Sequence, residues 1–349
     1  MNHSGGTPLS QKTTLSTIAD HLGVSTATVS LALRDSPLVA SATRDRIKQA
    51  AVELGYIYNR RAASLRTSRS GIIGVMVHDI MNPFFAEILK AIEEELGQSR
   101  QTFLLCNHHD DLSIQTGFVE TLLQFGADGV ILSPAIGTTP QDIAAIEKNG
   151  LPVVLIARWV EGTSAPVFRG DDKQGIHMAA EHLIGLGHTS IAYIGGQRTT
   201  STGRDRREGY LAALEEAGIK PDPSLQIGSE STRKAGYDSV RAMFEAGHKP
   251  TAIVCFNDLV AIGVMSGLRS IGLEPGHDIA VTGYDDISEA EIAAPALTTV
   301  WNGQQEAGRL AARAMVSILS GEDHPRDKVL IAPQLRVRES TCPPSGAAS

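Results

Sequence analysis

Apolar and polar residues near the start of the chain alternate with the period of an α-helix. The first run has four apolar residues at helical spacing, namely Leu15, Ile18, Ala19 and Leu22. This spacing predicts an amphipathic helix that ends at Gly23. Ser25 is placed to cap a second helix over residues 26–33, whose Val29 and Ala32 can pack back on the first. The pattern indicates a helix-turn-helix, although a helical hairpin with a purely structural role has the same spacing.

A third amphipathic helix is predicted to follow, with Ser41 as its cap and Gly55 at its end. Ile47, Ala51 and Leu54 of this helix are expected to face inward, and three helices are enough to bury a small shared core. The polar segment that follows contains four arginines, namely Arg60, Arg61, Arg66 and Arg69. A linker this basic is predicted to contact a partner rather than only to separate two domains.

Beyond Gly71 short apolar runs alternate with amphipathic stretches. The predicted strands are 72–77, 103–106, 130–132, 153–157, 191–194, 252–256 and 279–282. The predicted helices are 84–96, 114–125, 143–148, 175–186, 204–217 and 259–270. This order indicates parallel, doubly wound sheets, and two successive sets indicate two lobes. Because ligands of such sheets bind outside the carboxyl ends of the strands, we expect a binding site in the cleft between the lobes.

Composition narrows the class of protein. The 349 residues are 42% hydrophobic and 20% charged, which allows two or three compact units. No apolar run is long enough to span a bilayer and the first residues do not resemble a signal peptide, so we expect a cytoplasmic protein without membrane association. Cys106, Cys255 and Cys342 form no CxxC pair, which argues against a disulfide framework or a zinc site, and the first two are expected in the core.

Charge is distributed unevenly along the chain. Residues 1–70 contain nine Lys and Arg against four Asp and Glu, a net charge of +5. Because the whole chain has a net charge of −8, residues 71–349 carry −13. A basic head on an acidic body suits a protein that touches phosphate with one end only.

Sequence motifs of common enzymes are missing. The chain has no GxxxxGK[ST], GxSxG or HExxH motif, and no GxGxxG after the first predicted strand. His108-His109 followed by Asp110-Asp111 contains metal-ligand residue types, but neighbouring histidines on a loop are expected to be solvated. We therefore predict no enzymatic activity, no metal and no cofactor.

The first seventy residues resemble the LacI/GalR family of transcription factors. The resemblance is carried by Thr17-Ile18-Ala19, Gly23-Val24-Ser25, Ala27-Thr28-Val29-Ser30, Leu54-Gly55-Tyr56 with Asn59, and Ser64-Leu65-Arg66. It implies a DNA-binding domain over residues 1–58 and a hinge over residues 59–70 that folds on DNA. Leu65 occupies the position of a leucine that wedges into the minor groove, with Asn59 and Arg66 beside it. The alternative for Leu65 is packing of the head against the body.

The resemblance also implies that the second helix reads bases. The residues concerned are Thr26, Ala27, Thr28, Ser30 and Leu31. Positions 26, 27 and 31 lack the large polar or arginine side chains common in the family and suit apolar contact with thymine methyl groups. We therefore predict an operator that is less dependent on guanine opposite Leu31. Tyr58 replaces a proline often found before the hinge asparagine, so the rigidity of that junction is open.

The resemblance continues to about residue 340. It is carried by segments that include Asn82-Pro83-Phe84-Phe85, Asp128-Gly129, Arg206 with Gly209-Tyr210, Asn257-Asp258 and Gly283-Tyr284-Asp285-Asp286. It implies an all-α helix-turn-helix head plus an α/β periplasmic-binding-protein-like body of two doubly wound lobes, which binds effector and dimerises over residues 71–340. The first lobe is expected at about 71–165 and 298–325, the second at about 166–297 and 326–340, and a tail at 341–349.

Within this body the resemblance implies a set of effector-binding positions. Arg206, Asn257 and Asp285 match residues that hydrogen-bond the effector, and Phe84 and Phe85 are placed to form an aromatic wall. Charged and amide groups with an aromatic face suit a polyhydroxylated ligand such as a sugar.

Other roles for these positions stay open. Asp79, just past the first strand, is a further candidate for the cleft. The alternatives are that Arg206 pairs with Asp285, that Asn257 caps the following helix, and that Phe84 is a core residue.

Two departures from the family affect the expected effector. Ala157 and Arg158 stand where sugar-binding relatives often have an aspartate, and Ser231 stands where some have an aromatic residue. If Arg158 adds positive charge to the cleft, the effector is a sugar acid or a sugar phosphate. The alternative is that Arg158 points to solvent.

The implied function is regulation of transcription. We expect a homodimer that binds a near-palindromic operator, usually as a repressor, with an effector that changes the spacing of the two heads. The tail has no apolar heptad that would form a tetramerising coil. The alternative is a soluble sugar-binding protein without DNA contact, against which the basic head argues.

Overall fold

Residues 13–56, 69–323 and 328–343 are described by the computed structural model, in which the chain divides into two units, residues 1–70 and 71–349. The first unit contains α1 (Leu15–Leu22), α2 (Thr26–Leu33) and α3 (Ser41–Glu53). No helix among the described residues is long and apolar enough to cross a membrane.

Helix caps in the first unit follow the sequence with one exception. The Ser25 hydroxyl accepts a hydrogen bond from the Thr28 amide at 3.1 Å, which confirms Ser25 as the cap of α2. The expected cap at Ser41 is wrong, because Ser41 is the first helical residue and Ala40, the N-cap, has no side-chain oxygen that could accept a hydrogen bond. The predicted inward residues Ile18, Val29 and Ile47 are completely buried and form the shared core.

The second unit alternates strands and helices. The strands are β1 (Ile72–Val77), β2 (Thr102–Asn107), β3 (Gly129–Leu132), β4 (Val153–Ile156), β5 (Val167–Gly170), β6 (Ile191–Ile194), β7 (Gln226–Ile227), β8 (Ala252–Cys255), β9 (Ala280–Thr282), β10 (Thr299–Trp301), β11 (Lys328–Ile331) and β12 (Gln334–Arg336). The helices are α4 (Pro83–Gln98), α5 (Leu112–Phe125), α6 (Pro140–Lys148), α7 (Asp172–Gly185), α8 (Ser201–Glu216), α9 (Arg233–Glu245), α10 (Asp258–Ser270), α11 (Ser288–Ile292) and α12 (Gln304–Ser320).

Two parallel sheets organise this unit into two lobes. The first sheet has the order β11-β5-β4-β3-β1-β2 and the second the order β7-β6-β8-β9, while β10 and β12 form an antiparallel pair. In the first sheet Ile73 of β1 lies opposite Phe103 of β2 and Gly129 of β3. Both faces of each sheet are covered by buried apolar side chains, as expected for doubly wound sheets.

The expected lobe boundaries need a correction. Residues 167–170 and 328–331 were assigned to the second lobe, but β5 and β11 hydrogen-bond to each other in the first sheet, and β5 also pairs with β4. The sequence pattern does not mark β5 as a strand, because the charged Arg169 interrupts its apolar run. The first lobe therefore includes both strands, and the chain crosses to the second lobe after Gly170.

Candidate functional site

A cavity of about 410 Å³ lies in the body, where the carboxyl ends of strands from both sheets meet. This volume is in the range of small-molecule sites. All seven residues expected to bind an effector line it, namely Asp79, Phe84, Phe85, Arg158, Arg206, Asn257 and Asp285. They come together because six of them follow a strand or begin a helix at the carboxyl edges of the two sheets, while Arg206 reaches the cavity from the second turn of α8.

Arg206 on α8 is the centre of the polar network in the cavity. Its Nε donates to Asp172 Oδ1 at 2.7 Å, and its Nη1 donates to the Phe256 carbonyl oxygen at 2.7 Å. Its Nη2 donates to Asp285 Oδ1 at 3.3 Å, so the alternative pairing of these two residues is present. The guanidinium carbon also lies 3.9 Å from the ring centre of Tyr284. Arg206 is therefore held in one orientation on three sides.

Asp172 and Asp285 share this guanidinium, but their pKa values shift in opposite directions. Burial disfavours the ionised form of both carboxyls. At Asp172 the attraction of Arg206 and Arg169 outweighs burial and lowers the pKa below its ordinary value. At Asp285 burial outweighs the attraction of Arg206, and with repulsion from Asp172 it raises the pKa to about 7. The cavity therefore holds a carboxyl that exchanges a proton near neutral pH.

The backbone and surroundings of Asp285 fix its carboxyl in place. Its φ of 107° is unusual for a residue with a side chain and indicates local strain, which is found often at functional sites. Asn302 Nδ2 donates to Asp285 Oδ1 at 3.2 Å, and Gln304 Nε2 donates to the Asp285 carbonyl oxygen at 3.0 Å.

Asn302 and Gln304 also bring unpaired acceptors to the cavity wall. Both side chains line the cavity and are buried, and Asn302 Oδ1 and Gln304 Oε1 accept no hydrogen bond from any residue that the structure describes. The close approach of Asn302 depends on Gly170, where a Cβ atom would lie 2.5 Å from the Asn302 carbonyl oxygen. Unpaired buried acceptors are costly, and because solvent does not reach either oxygen, a ligand hydrogen meets them only after the two side chains move.

Arg169 extends the network from β5, and sequence reasoning missed it. Its guanidinium pairs with Asp172, and its Nη1 lies 2.8 Å from Asp205 Oδ2 on α8. Arg169 is among the largest completely buried side chains of the described chain. A charged residue within a four-residue strand was the available signal, because burial of an arginine requires carboxylate partners.

Arg158 does not offer the free positive charge that its position suggested. Its two terminal nitrogens donate to the two carboxylate oxygens of Asp110, with 3.1 Å between Nη2 and Oδ2. Nη1 also donates to the Pro134 carbonyl oxygen at 3.1 Å. Arg158 faces the cavity rather than solvent, but the expected gain of positive charge is wrong because Asp110 neutralises it.

The remaining expected residues combine lining and structural roles. Asn257 Oδ1 accepts from the Val260 amide at 3.0 Å, so Asn257 caps α10 while it lines the cavity. Phe85 is 1% exposed and Phe84 9% exposed, so both belong to the core, and both also line the cavity. His78, also missed, packs against Phe85 with 4.6 Å between ring centres. Burial and the nearby arginines hold the pKa of His78 well below its ordinary value, so it is neutral at physiological pH.

The adjacent histidines differ from each other. His108 is completely buried and its Nε2 lies 2.8 Å from the Ser133 carbonyl oxygen, so the expectation that both are solvated is wrong for His108. His109 is exposed at the cavity edge. The described residues contain no group of three or more His, Cys, Asp or Glu placed to hold a metal ion.

The head presents the start of α2 to solvent. Thr26 and Ala27 are exposed, whereas Thr28, Ser30 and Leu31 are half-buried. The hydroxyls of Thr28 and Ser25 are 2.8 Å apart, and Leu31 packs against the core of the head. Asn59, Leu65 and Arg66 lie outside the described residues.

Known proteins resemble both units. The family model for bacterial regulatory proteins of the lacI family matches residues 14–59, and that for the periplasmic binding protein-like domain matches residues 180–341. The transcriptional regulator DegA of Bacillus subtilis is 32% identical over 95% of this chain and 99% of its own length. The repressor PurR of Aliivibrio salmonicida is 30% identical over 94% of this chain and 98% of its own length.

Solved structures resemble the chain over the same extent. The Lac repressor dimer bound to operator and the anti-inducer ONPF has a TM-score of 0.84 at 26% identity, covering 95% of this chain and 100% of that one. The complex of the regulator CelR with cellobiose has a TM-score of 0.71 at 28% identity, and the match covers 94% of this chain and 100% of the CelR chain. With a helix-turn-helix head, a two-lobed α/β body and relatives that match over nearly the whole length, this chain belongs to the LacI family of bacterial transcriptional regulators.

Proposed function

We propose that the chain is a repressor that binds a near-palindromic operator as a homodimer and changes its operator affinity when a small molecule occupies the cavity of the body. The cavity carries this proposal, because it joins a fixed guanidinium, a titrating carboxyl and two unpaired buried acceptors in a volume that suits a small ligand. The operator-bound Lac repressor dimer and the PurR repressors among the relatives support the DNA-binding half of the proposal. A cytoplasmic location follows from it, since operator DNA lies there.

The effector that the cavity suits best is a neutral, polyhydroxylated molecule. Its arginines, Arg158, Arg169 and Arg206, are each paired with a carboxylate, so none offers an uncompensated charge to a sugar acid or phosphate. The amide side chains of Asn257, Asn302 and Gln304, which line the cavity, suit the hydroxyl groups of such a ligand. Among the relatives, CelR is solved with cellobiose, and a regulator from Enterococcus faecium is solved with bound ribose.

The operator would be read by the head and the hinge together. Thr26 and Ala27 are the exposed positions of α2, and we propose that they contact base edges with Thr28, Ser30 and Leu31 behind them. Because Leu31 packs partly on the core of the head, only an apolar edge is left for a thymine methyl group. The hinge, which we place at residues 59–70, would insert Leu65 into the minor groove with Asn59 and Arg66 beside it.

Effector and operator would act on one equilibrium of the body. The cavity is lined from the first lobe by Asp79 and Arg158 and from the second by Arg206 and Asn257, so a ligand that touches both lobes favours their closed arrangement. If the closed and open bodies hold the two hinges at different spacings, ligand binding changes operator affinity, and operator binding changes ligand affinity by the same factor.

A gel shift with the DNA upstream of the chain's own coding sequence tests the proposal. Full-length protein should bind a near-palindrome with a steep salt dependence, and one neutral sugar of a panel should weaken or strengthen that binding. The variant Arg206→Met should bind the same DNA but lose the response to sugar. The variant Arg241→Met, on the surface of α9, should keep both DNA binding and the response to sugar. Tight binding of a sugar without specific DNA binding at any salt concentration would contradict the proposal and favour the sugar-binding protein that does not contact DNA.

A further inference from the structure

The ion pair between Asp110 and Arg158 is held by strained backbone at both ends. His109 and Asp110 have φ angles of 50° and 61°, and Ala157, which precedes Arg158, has a φ of 61°. A residue with a side chain adopts this left-handed region only at a free-energy cost, so the surrounding structure must enforce it. Three such residues therefore serve to aim one carboxylate and one guanidinium at each other.

A buried histidine anchors the loop that carries Asp110. His108 Nε2 lies 2.8 Å from the Ser133 carbonyl oxygen at the end of β3, and the Asp110 amide donates to His108 Nδ1 at 3.2 Å. Both contacts are satisfied by the neutral ring with its hydrogen on Nε2, and burial lowers the pKa of His108. The loop is therefore tied to the first sheet, which keeps the Asp110 carboxylate beside Arg158.

Arg158 retains one unused donor. Its terminal nitrogens are taken by Asp110 and by the Pro134 carbonyl oxygen, whereas its buried Nε has no partner among the residues that the structure describes. A neutral ligand can lie against this pair without meeting a net charge, because Asp110 compensates Arg158. An anionic ligand gains no uncompensated charge from Arg158 and meets the carboxylates of Asp79, Asp110 and Glu230 on the cavity wall.

We propose that Asp110 determines the charge of the ligand: by holding Arg158 in a neutralised pair it makes the cavity select neutral over anionic molecules. This inference rests on the proposed function only in that the cavity is the effector site. Asp110 is the carboxylate of the network best suited to this role, because its side chain is 26% exposed, whereas Asp172 and Asp285 are 4% exposed and hold buried arginines. Removal of the Asp110 carboxylate would leave the guanidinium of Arg158, whose side chain is 10% exposed and lines the cavity, as a site for an anion.

Calorimetry with inorganic phosphate as the probe tests this proposal on the full chain. Asp110→Asn should bind phosphate at least about tenfold more tightly than the unaltered protein, because a freed guanidinium forms charge-assisted, bidentate bonds with phosphate oxygens. The gain should disappear in the double variant Asp110→Asn with Arg158→Gln. Asp238→Asn is the matched control, since it removes the same group from an exposed ion pair with Lys234 and should bind phosphate as the unaltered protein does. Equal phosphate affinity of Asp110→Asn and the unaltered protein would overturn the proposal.

A measurement on the unaltered protein keeps the proposal testable if Asp110→Asn does not fold. Phosphate is excluded from protein surfaces and stabilises folded proteins in general, so it should raise the melting temperature of the body equally in the unaltered protein and in Arg158→Gln. A rise that is larger in the unaltered protein and saturates with phosphate concentration would show binding at Arg158 and would refute the proposed role of Asp110. Neither experiment contains DNA, so failure of operator binding and failure of charge selection are observed separately.

Discussion

Replacement of Asp285 by asparagine gives the most direct test of the charge network in the cavity. The change keeps the shape of the side chain and one oxygen acceptor, replaces the other oxygen by an NH2 group and removes the ability to ionise. In the folded protein the pKa of this carboxyl is raised from its ordinary value of 3.8 to about 7. A carboxyl with a raised pKa holds its proton more tightly in the folded state, so its contribution favours folding below pH 3.8 and is lost as the pH rises through 7.

The size of the effect follows from the two pKa values. Between pH 5 and pH 8 the unfolded carboxyl is ionised throughout, whereas the folded one passes from protonated to mostly ionised. Over about two of these pH units, folding is therefore coupled to the uptake of one proton. Each such pH unit changes the free energy of unfolding by about 1.36 kcal/mol. We expect the free energy of unfolding of Asp285→Asn, relative to that of the unaltered protein, to increase by roughly 2–3 kcal/mol from pH 5 to pH 8.

Urea unfolding at fixed protein concentration from pH 5 to pH 8 measures this difference. The two tryptophans of the chain, Trp159 and Trp301, both lie in the body, so tryptophan fluorescence reports unfolding of the body and not of the head. Asp238→Asn on the surface controls for the loss of one negative charge and should differ from the unaltered protein by the same amount at every pH. A difference between Asp285→Asn and the unaltered protein that is constant from pH 5 to pH 8, or that favours the variant less at pH 8 than at pH 5, would refute the reasoning.

Two further predictions concern packing and capping. Gly263→Ala should destabilise the body by about 1–3 kcal/mol, because its Cβ would lie 2.0 Å from the Arg233 carbonyl oxygen, whereas Gly117→Ala on α5 meets nothing within 4 Å and should be neutral or stabilising. Equal melting temperatures of these two variants would contradict this account of how α9 and α10 approach each other. Ser25→Ala should lower the free energy of unfolding of the head by about 1 kcal/mol, because it removes the cap of α2. Ser41→Ala removes no cap bond and should leave that free energy unchanged. Circular dichroism of an isolated 1–70 fragment during unfolding measures both effects. A larger loss from Ser41→Ala than from Ser25→Ala would show that the assignment of the caps is wrong.

Apolar periodicity predicted the elements that bury a continuous run of side chains. Strands β1 and β6 have the predicted bounds because each is a run of apolar residues or glycine between polar segments. The one polar group in these runs is the buried hydroxyl of Tyr193 in β6. Strands β5 and β11 were missed for the opposite reason, since Arg169 interrupts one and Lys328 begins the other. A short strand with a charged residue is stabilised by neighbours that are distant in sequence, and the local pattern contains no record of those neighbours.

The family resemblance, carried over position by position, identified members of the cavity wall. Arg206, Asn257 and Asp285 were recognised in this way, and the alternation of strands and helices separately predicted a cleft at the carboxyl ends of the strands. His78, Asn302 and Gln304 were not recognised, since nothing in their immediate sequence separates a cavity residue from an ordinary polar loop residue.

The sequence by itself determined which charged groups the chain carries and which edge of the sheets they occupy. Only the tertiary structure decided which of them neutralise one another. Asp110 and Arg158 are far apart along the chain yet paired in space, and Asp172 and Asp285 have opposite pKa shifts beside the same Arg206. The physical reason is that desolvation and Coulomb energies depend on burial and on distance through space, so the charge of the cavity, and with it the kind of ligand that fits, is set by packing rather than by composition.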